Sequence, residues 1–321
     1  MSFANLLGHE AAIRLLKAQV RRDRLAHSYL FVGLEGIGRR TLALELARAL
    51  QCESPRDAEP CGKCESCRQV AEGRHPDVHV VTPGTENEEL GIDQLRDLVR
   101  WMMKTPFIGE RKVAILDQAE RTTEQAAHAC LKILEEAPEG GLFILVAPGA
   151  HRLPATLVSR CYVVRLRPQG VEKVAEWLEK KEGVAPAQAR MLAISSGGRL
   201  GLALQFHRAE RLKRLNAALE AILEARRQRE LEVSLGKLSR EEVAEALEWY
   251  ASWWRDLAVL ALGGQPQWVI HQDRLQELQR AAGSTPVDSL LEEVERAFWI
   301  EDAVQKNAQV RTGLSVLLAR G

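Results

Sequence analysis

Four cysteines constrain the fold of this chain more than any other feature of its sequence. They have the spacing C-x8-C-x2-C-x2-C and lie between a glycine-rich turn and the next predicted strand; they are Cys52, Cys61, Cys64 and Cys67. Thiolates at such short spacing can bind one ion through tight turns, and four of them form a closed tetrahedral zinc site. The pattern therefore predicts a structural Zn²⁺ ion that stabilises a loop and leaves no open coordination position for catalysis.

Other interpretations of the cysteines stay open at this point. An iron–sulfur cluster is less favoured because the fourth cysteine lies upstream and does not follow before a proline, as it does in bacterial ferredoxins. Unrelated thiols are the other alternative. Disulfides are disfavoured because the opening segment MSFANLLGHE lacks the charged and apolar regions of a secretory signal. Cys130 and Cys161 lie in apolar stretches, where we expect small buried side chains.

The length and the charge balance limit the possible functions. A chain of 321 residues is long enough for two or three domains. Its 44 basic and 44 acidic residues cancel, so any contact with nucleic acid would need a local patch. No apolar run approaches the roughly 18 residues of a membrane-spanning helix. We therefore expect a cytoplasmic protein that does not contact a membrane.

Strands and helices are predicted to alternate over the first half of the chain. The β-rich runs are Ser28–Val32, Val78–Val81, Val113–Leu116, Phe143–Val146 and Tyr162–Leu166. The helical patterns between them are Thr41–Leu50, Ile92–Met103 and Glu124–Glu136. This alternation is typical of an α/β domain with a parallel sheet.

The chain becomes helical after Pro168. We predict an α/β domain over residues 1–168 with the cysteine module at 52–67, a small helical domain over 169–207 and an all-α domain over 208–321. In the last domain, Trp249, Trp253 and Trp254 fall on one helix face. Helix–helix packing is the simpler interpretation of these tryptophans, and a platform for stacking bases is the alternative.

A glycine-rich turn after the first strand has the position of a phosphate-binding P-loop but lacks two of its residues. The segment contains Gly33, Gly36, Gly38, Arg39, Arg40 and Thr41. Glycines at such a turn let backbone N–H groups bind phosphate at a helix N-terminus. Arg39 replaces the lysine, and Arg40 replaces the hydroxyl that binds magnesium. Thr41 follows one residue later, about 100° further round the helix.

The second nucleotide-binding motif is also altered. Asp117 ends the strand Val113–Leu116 at the position of a magnesium-binding aspartate, but Gln118 follows where an ATPase has a glutamate. An amide can orient water and cannot accept its proton. We therefore predict that this chain does not hydrolyse ATP and does not bind it, while binding without turnover stays open as an alternative.

In their order, these motifs resemble the clamp-loader subunits of the bacterial replicative DNA polymerase III, a branch of the AAA+ ATPases. The matching segments are Leu7-Gly8-His9-Glu10, His27-Ser28-Tyr29-Leu30-Phe31, the cysteine module, Leu131-Lys132-Ile133-Leu134-Glu135-Glu136-Ala137-Pro138 and Ser159-Arg160-Cys161. The resemblance extends from Leu6 to about Arg167, continues more weakly to Gly201, and beyond that includes a stretch around Asn307.

Two kinds of subunit share this architecture, and the altered motifs resemble the delta-prime kind, which does not use ATP. Gly201 stands where the second sensor arginine of motor subunits would align. The resemblance implies that Arg160, within Ser159-Arg160-Cys161, acts as an arginine finger on ATP bound by a neighbouring subunit. It also implies gamma/tau and delta subunits as partners, a helical lid and collar, and access to the sliding clamp and primer-template DNA through the assembly.

Two competing functions remain at this stage. One is a self-sufficient AAA+ ATPase of the gamma/tau kind with an unusual arginine P-loop. The other is a zinc-dependent DNA-binding protein that has only inherited the fold.

Overall fold

The computed structural model describes residues 3, 6–84, 89–135, 138, 140–228 and 239–306. The chain divides into two compact units. The first comprises Met1–Gly170 with Arg199–Leu202, and the second comprises Val171–Gly198 with Ala203–Gly321. The three-domain division stays a prediction. Among the described helices, none combines the length and the apolar character needed to cross a membrane.

The first unit is built on a five-stranded parallel sheet in the order β2-β3-β4-β1-β5. Its strands are β1 Ser28–Val32, β2 Val78–Val81, β3 Lys112–Leu116, β4 Gly141–Ala147 and β5 Tyr162–Arg165. The predicted parallel sheet is confirmed, and the ends of each predicted strand agree with the structure to within two residues.

Six helices accompany these strands in the described part of the first unit. They are α1 Glu10–Arg21, α2 Arg39–Gln51, α3 Glu65–Ala71, α4 Ile92–Met102, α5 Glu124–Glu135 and the short α6 Ala155–Val158. The three predicted helices are confirmed as α2, α4 and α5. The predicted last residue of α5, Glu136, lies outside the described residues.

Apolar residues fill both faces of the sheet, which explains why its strands are continuous apolar runs. In β1, Leu30 packs into the core on one face, while Tyr29 and Phe31 pack into the core on the other. A parallel sheet must be covered on both faces, and here helices cover them. The loops after β1 and β3 therefore lie at the same edge of the sheet, the edge of the strand carboxyl ends.

The second unit is helical, as predicted. Its helices are α7 Val171–Glu182, α8 Pro186–Ser195, α9 Leu200–Arg208, α10 Arg211–Gln228, α11 Arg240–Ala261, α12 Leu275–Ala282 and α13 Val287–Gln305. The start of α9 belongs to the first unit. The stretch around Asn307 lies outside the described residues.

The tryptophans of α11 pack inside the second unit. Trp249 and Trp253 are only 6% and 4% exposed. The indole N–H of Trp249 donates to Asn216 Oδ1 at 2.9 Å, and both rings contact the buried His271 ring. The helix-packing interpretation is therefore confirmed for these two residues, because buried rings offer no face to a base.

Candidate functional site

The four predicted metal ligands lie together between α2 and α3. The sulfur atoms of Cys52, Cys61, Cys64 and Cys67 are all within 4.8 Å of one another. The Sγ atoms of Cys52 and Cys64 are 4.0 Å apart. A tetrahedral zinc site with bonds of about 2.3 Å needs sulfurs roughly 3.8 Å apart. The cluster can therefore hold a four-coordinate metal ion, and the choice of zinc stays a prediction.

Backbone N–H groups point at the cysteine sulfurs, as they do in many thiolate sites. The N–H of Cys61 donates to Cys52 Sγ at 3.2 Å, and that of Cys67 donates to Cys64 Sγ at 3.4 Å. N–H donors of Lys63 and Cys64 lower the pKa of Cys61 to about 6, while burial raises the pKa of Cys67. A bound cation would favour the thiolate form at every position.

The loop that carries the cysteines is also attached to α1. Glu59 forms an ion pair with Lys17, and Asp57 accepts a hydrogen bond from Arg21 at 2.8 Å. Within the module, the N–H of Ser66 donates to the Glu53 carboxylate at 3.1 Å. The module therefore braces the first helix as well as the junction between α2 and α3.

The glycine-rich turn connects β1 to α2, where a P-loop belongs. Gly36 and Gly38 have φ values of 73° and 101°, which a residue with a side chain adopts only under strain. Gly38 is the N-cap of α2 and supplies no capping side chain. These two glycines therefore supply the left-handed backbone that this turn needs.

Two arginines, Arg39 and Arg40, begin α2 directly after the glycine-rich turn. Arg40 Nη1 lies 3.3 Å from Oδ2 of Asp117, whose side chain is almost buried at the end of β3. Burial lowers the pKa of Arg39, and the nearby carboxylates of Glu120 and Asp117 oppose that shift. The Thr41 side chain is exposed. The Arg40 guanidinium is therefore the cationic partner of the Asp117 carboxylate.

Gly201 packs directly against the backbone of the glycine-rich turn. Its N–H donates to the carbonyl of Gly36 at 2.8 Å, and a Cβ at Gly201 would lie 2.7 Å from that oxygen. His9, from the segment Leu7-Gly8-His9-Glu10, places Nε2 3.0 Å from the carbonyl of Ile37. Gly201 is thus too close to the turn to accommodate a side chain without a shift.

Arg160 lies at the opposite edge of the sheet. The segment Ser159-Arg160-Cys161 precedes β5, and the Ser28 hydroxyl at the start of β1 donates to the Arg160 carbonyl at 2.6 Å. The P-loop follows Val32 at the other end of β1, about 13 Å away at roughly 3.3 Å per residue. Burial raises the pKa of the partly buried Cys161 thiol to about 11.

The Arg160 side chain reaches the surface and contacts its own chain there. It is 39% exposed, and its Nη2 forms an ion pair with Glu135 Oε1 at 2.8 Å. Its Nη1 donates to the Thr156 carbonyl at 3.0 Å. Glu135 had no predicted role, although it belongs to the segment Leu131-Lys132-Ile133-Leu134-Glu135-Glu136-Ala137-Pro138 that resembles the clamp-loader subunits.

The structure separates the predicted site residues into three groups. The four cysteines form one cluster, and Arg39, Arg40 and Asp117 meet at the P-loop edge. Arg160 belongs to neither group. The fold brings Glu120 close to Arg39 and Gly201 close to Gly36. No motif in the sequence indicated these two proximities.

Comparisons with known proteins agree on one family. Residues 8–170 match the family described as DNA polymerase III, delta subunit, and residues 209–317 match its C-terminal counterpart. DNA polymerase III subunit delta' of Yersinia pestis is 32% identical over 285 residues, which cover 86% of this chain and 83% of that protein. The delta' subunit of Pseudomonas aeruginosa is 38% identical over 181 residues, which cover 56% of this chain.

Tau subunits of DNA polymerase III are also similar to this chain. DNA polymerase III subunit tau of Escherichia coli is 32% identical over 208 residues, which cover 63% of this chain. The aligned region spans 55% of the Pseudomonas delta' subunit and 32% of tau. The chain thus matches about half, or less, of the length of these two relatives.

Metal removal tests the cysteine cluster. We expect about one zinc ion per chain, and chelation is expected to lower the melting temperature and to expose the loop between Gln51 and Gln69 to protease, because the ion crosslinks that loop. Elemental analysis and limited proteolysis measure both effects. Cys64→Ser should lose the metal, and Cys130→Ala, a buried thiol outside the cluster, should keep it. Unchanged protease sensitivity after metal removal would contradict the prediction.

Substituting Gly201 tests its contact with the turn. Gly201→Ala should cost about 1–3 kcal/mol in the free energy of unfolding, because the added Cβ overlaps the Gly36 carbonyl oxygen. Urea denaturation provides the measurement. The matched control is Gly283→Ala, where the nearest atom to the added Cβ is 3.9 Å away and little change is expected. Equal stability of the two variants would mean that the contact is not tight.

Proposed function

Because this chain belongs to the delta' subunit family of DNA polymerase III, we propose that it is a non-hydrolysing subunit of the clamp loader that supplies Arg160 in trans. Arg160 would reach ATP bound by a neighbouring gamma/tau subunit and neutralise charge that develops during γ-phosphate transfer. The energy of that ATP would then drive placement of the sliding clamp on primed DNA.

The observation that carries the proposal is the position of Arg160 in the sheet. Arg160 lies beside the first residue of β1, whereas the P-loop follows the last residue of that strand. An arginine at this edge cannot reach phosphates at the other edge of its own sheet. Since the side chain is exposed, a nucleotide bound by a different subunit is the target that this geometry supports.

The altered nucleotide site supports the second half of the proposal. Arg40 already neutralises Asp117, and Gly201 contacts the turn that would receive the phosphates. Magnesium would have to displace a guanidinium, and Gln118 could not accept a proton from attacking water. We propose that this chain neither binds nor hydrolyses ATP.

The remaining parts take structural roles in the same proposal. The cysteine module would hold Zn²⁺ through Cys52, Cys61, Cys64 and Cys67 and brace α1 through Lys17 and Arg21. The helices of residues 208–321 would form a collar with gamma/tau and delta subunits, and residues 169–207 would act as the lid. Clamp and primer-template DNA would be contacted through the assembly, in the cytoplasm.

Two observations favour a self-sufficient ATPase instead. Asp117 is retained at the end of β3, and a tau subunit is 32% identical to the matched region. Nucleotide turnover by the purified chain distinguishes this candidate. A zinc-dependent DNA-binding protein would instead show affinity of the isolated chain for DNA that falls steeply with salt.

The isolated chain should show no Mg·ATP turnover and no rise in melting temperature with Mg·ATP. The reason is that the cation position is already occupied by the Arg40 guanidinium. Phosphate release and thermal shift measure the two effects, with a gamma/tau subunit as the positive control. Turnover above the background rate would overturn the non-hydrolysing role.

Removing the Arg160 side chain should slow ATP hydrolysis by the neighbouring subunit. In an assembly reconstituted with gamma/tau and delta subunits, Arg160→Ala should reduce turnover at that site by roughly 10³-fold, because the developing phosphate charge loses its partner. ATPase stimulated by clamp and primed DNA provides the measurement. Arg152→Ala, which removes another exposed arginine from the segment between β4 and β5, is the control and should leave the rate unchanged. Equal rates for the two variants would mean that Arg160 does not contribute to ATP turnover and that this chain has only a structural role in the assembly.

A further inference from the structure

In this structure the Arg160 guanidinium is held by its own subunit. Nη2 binds Glu135 at 2.8 Å, and Nη1 donates to the Thr156 carbonyl and approaches the Ser159 hydroxyl at 3.4 Å. Both terminal nitrogens therefore have partners before any nucleotide arrives. To bind a phosphate across an interface, the side chain has to give up the Glu135 carboxylate.

Glu135 occupies an unusual position for a carboxylate. It lies in the last turn of α5, since Pro138 follows three residues later, and the partial negative charge of a helix end disfavours an acidic side chain there. The guanidinium of Arg160 compensates for this charge. Each charged group of the pair therefore stabilises the other. Helix propensity alone would not favour a glutamate at this position.

The backbone holds the two partners in fixed register. His27 places Nε2 3.1 Å from the carbonyl of Leu134, the residue before Glu135. Ser28, the next residue, donates from its hydroxyl to the Arg160 carbonyl at 2.6 Å. Adjacent residues at the start of β1 thus anchor the end of α5 and the finger segment, and only the two side chains are left to rearrange.

The pair is exposed and so can be exchanged easily. Arg160 and Glu135 side chains are 39% and 52% exposed. Water screens an ion pair of this kind, whereas a phosphate offers several charged oxygens to the guanidinium fork. A triphosphate brought close by a neighbour can therefore compete successfully with the single carboxylate.

We propose that Glu135 is a latch for the arginine finger. It holds Arg160 against α5 in the unengaged subunit and releases it when a neighbour presents ATP, so that premature turnover is suppressed. Glu135 is a positioning residue, since it acts through Arg160 and does not touch the nucleotide. The inference rests on the proposed trans role of Arg160.

Chemical modification of the full-length chain tests the contact without any partner. Phenylglyoxal should modify Arg160 roughly two- to fivefold faster in Glu135→Gln than in the wild type, because the anionic partner is lost. Peptide mass spectrometry measures the rate, with the exposed Arg22 as an internal reference. Glu124→Gln, a change of the same kind at the other end of α5, should have no effect. Equal rates for wild type and Glu135→Gln would overturn the latch.

The reconstituted assembly tests whether the Glu135 latch suppresses premature ATP turnover. Without clamp and DNA, Glu135→Gln should raise the basal ATPase rate roughly two- to fivefold, while the fully stimulated rate stays the same. The double variant Glu135→Gln/Arg160→Ala should lose this gain, because the released group is absent. A basal rate that stays unchanged or falls would overturn the latch.

The same series separates the two proposals. An unchanged stimulated rate for Arg160→Ala would overturn the proposed function itself. A large loss for Arg160→Ala, together with an unaltered basal rate for Glu135→Gln, would overturn the latch alone and leave the finger in place.

Discussion

The parallel pairing of the strands is the constraint on which the rest of the first unit depends. All five strands run in one direction. The residues directly after each strand therefore lie at one edge of the sheet, and the residues directly before each strand lie at the other. The P-loop and Asp117 belong to the first edge, and Arg160 belongs to the second. The sheet thus separates the glycine-rich turn from the exposed Arg160 side chain.

At the edge of the glycine-rich turn, two contacts stabilise the structure. Arg40 supplies a positive charge beside the nearly buried carboxylate of Asp117, which is therefore not left unpaired. Gly201 has no side chain, so its N–H can approach the turn and donate to the carbonyl of Gly36.

The sequence was sufficient for those features that depend on local pattern. Apolar runs predicted the strands because both faces of a parallel sheet are buried, and close spacing predicted the cysteine cluster because short turns bring such thiols together. Contacts between distant residues, such as Arg40 with Asp117 or Glu135 with Arg160, depend on how strands are ordered in the sheet. The sequence shows that these residues are charged, but it does not show which charged residues form ion pairs with each other.

The cysteine module has a further consequence for how the first unit is assembled. Cys52 ends α2 and Cys67 lies in the first turn of α3, so an ion bound by all four thiols joins two helices that pack on each other. Once that crosslink exists, the intervening loop no longer costs closure entropy when α3 docks. The order of events during folding would then depend on when the metal arrives, and a chain made in metal-poor conditions would have to bring these helices together by diffusion alone.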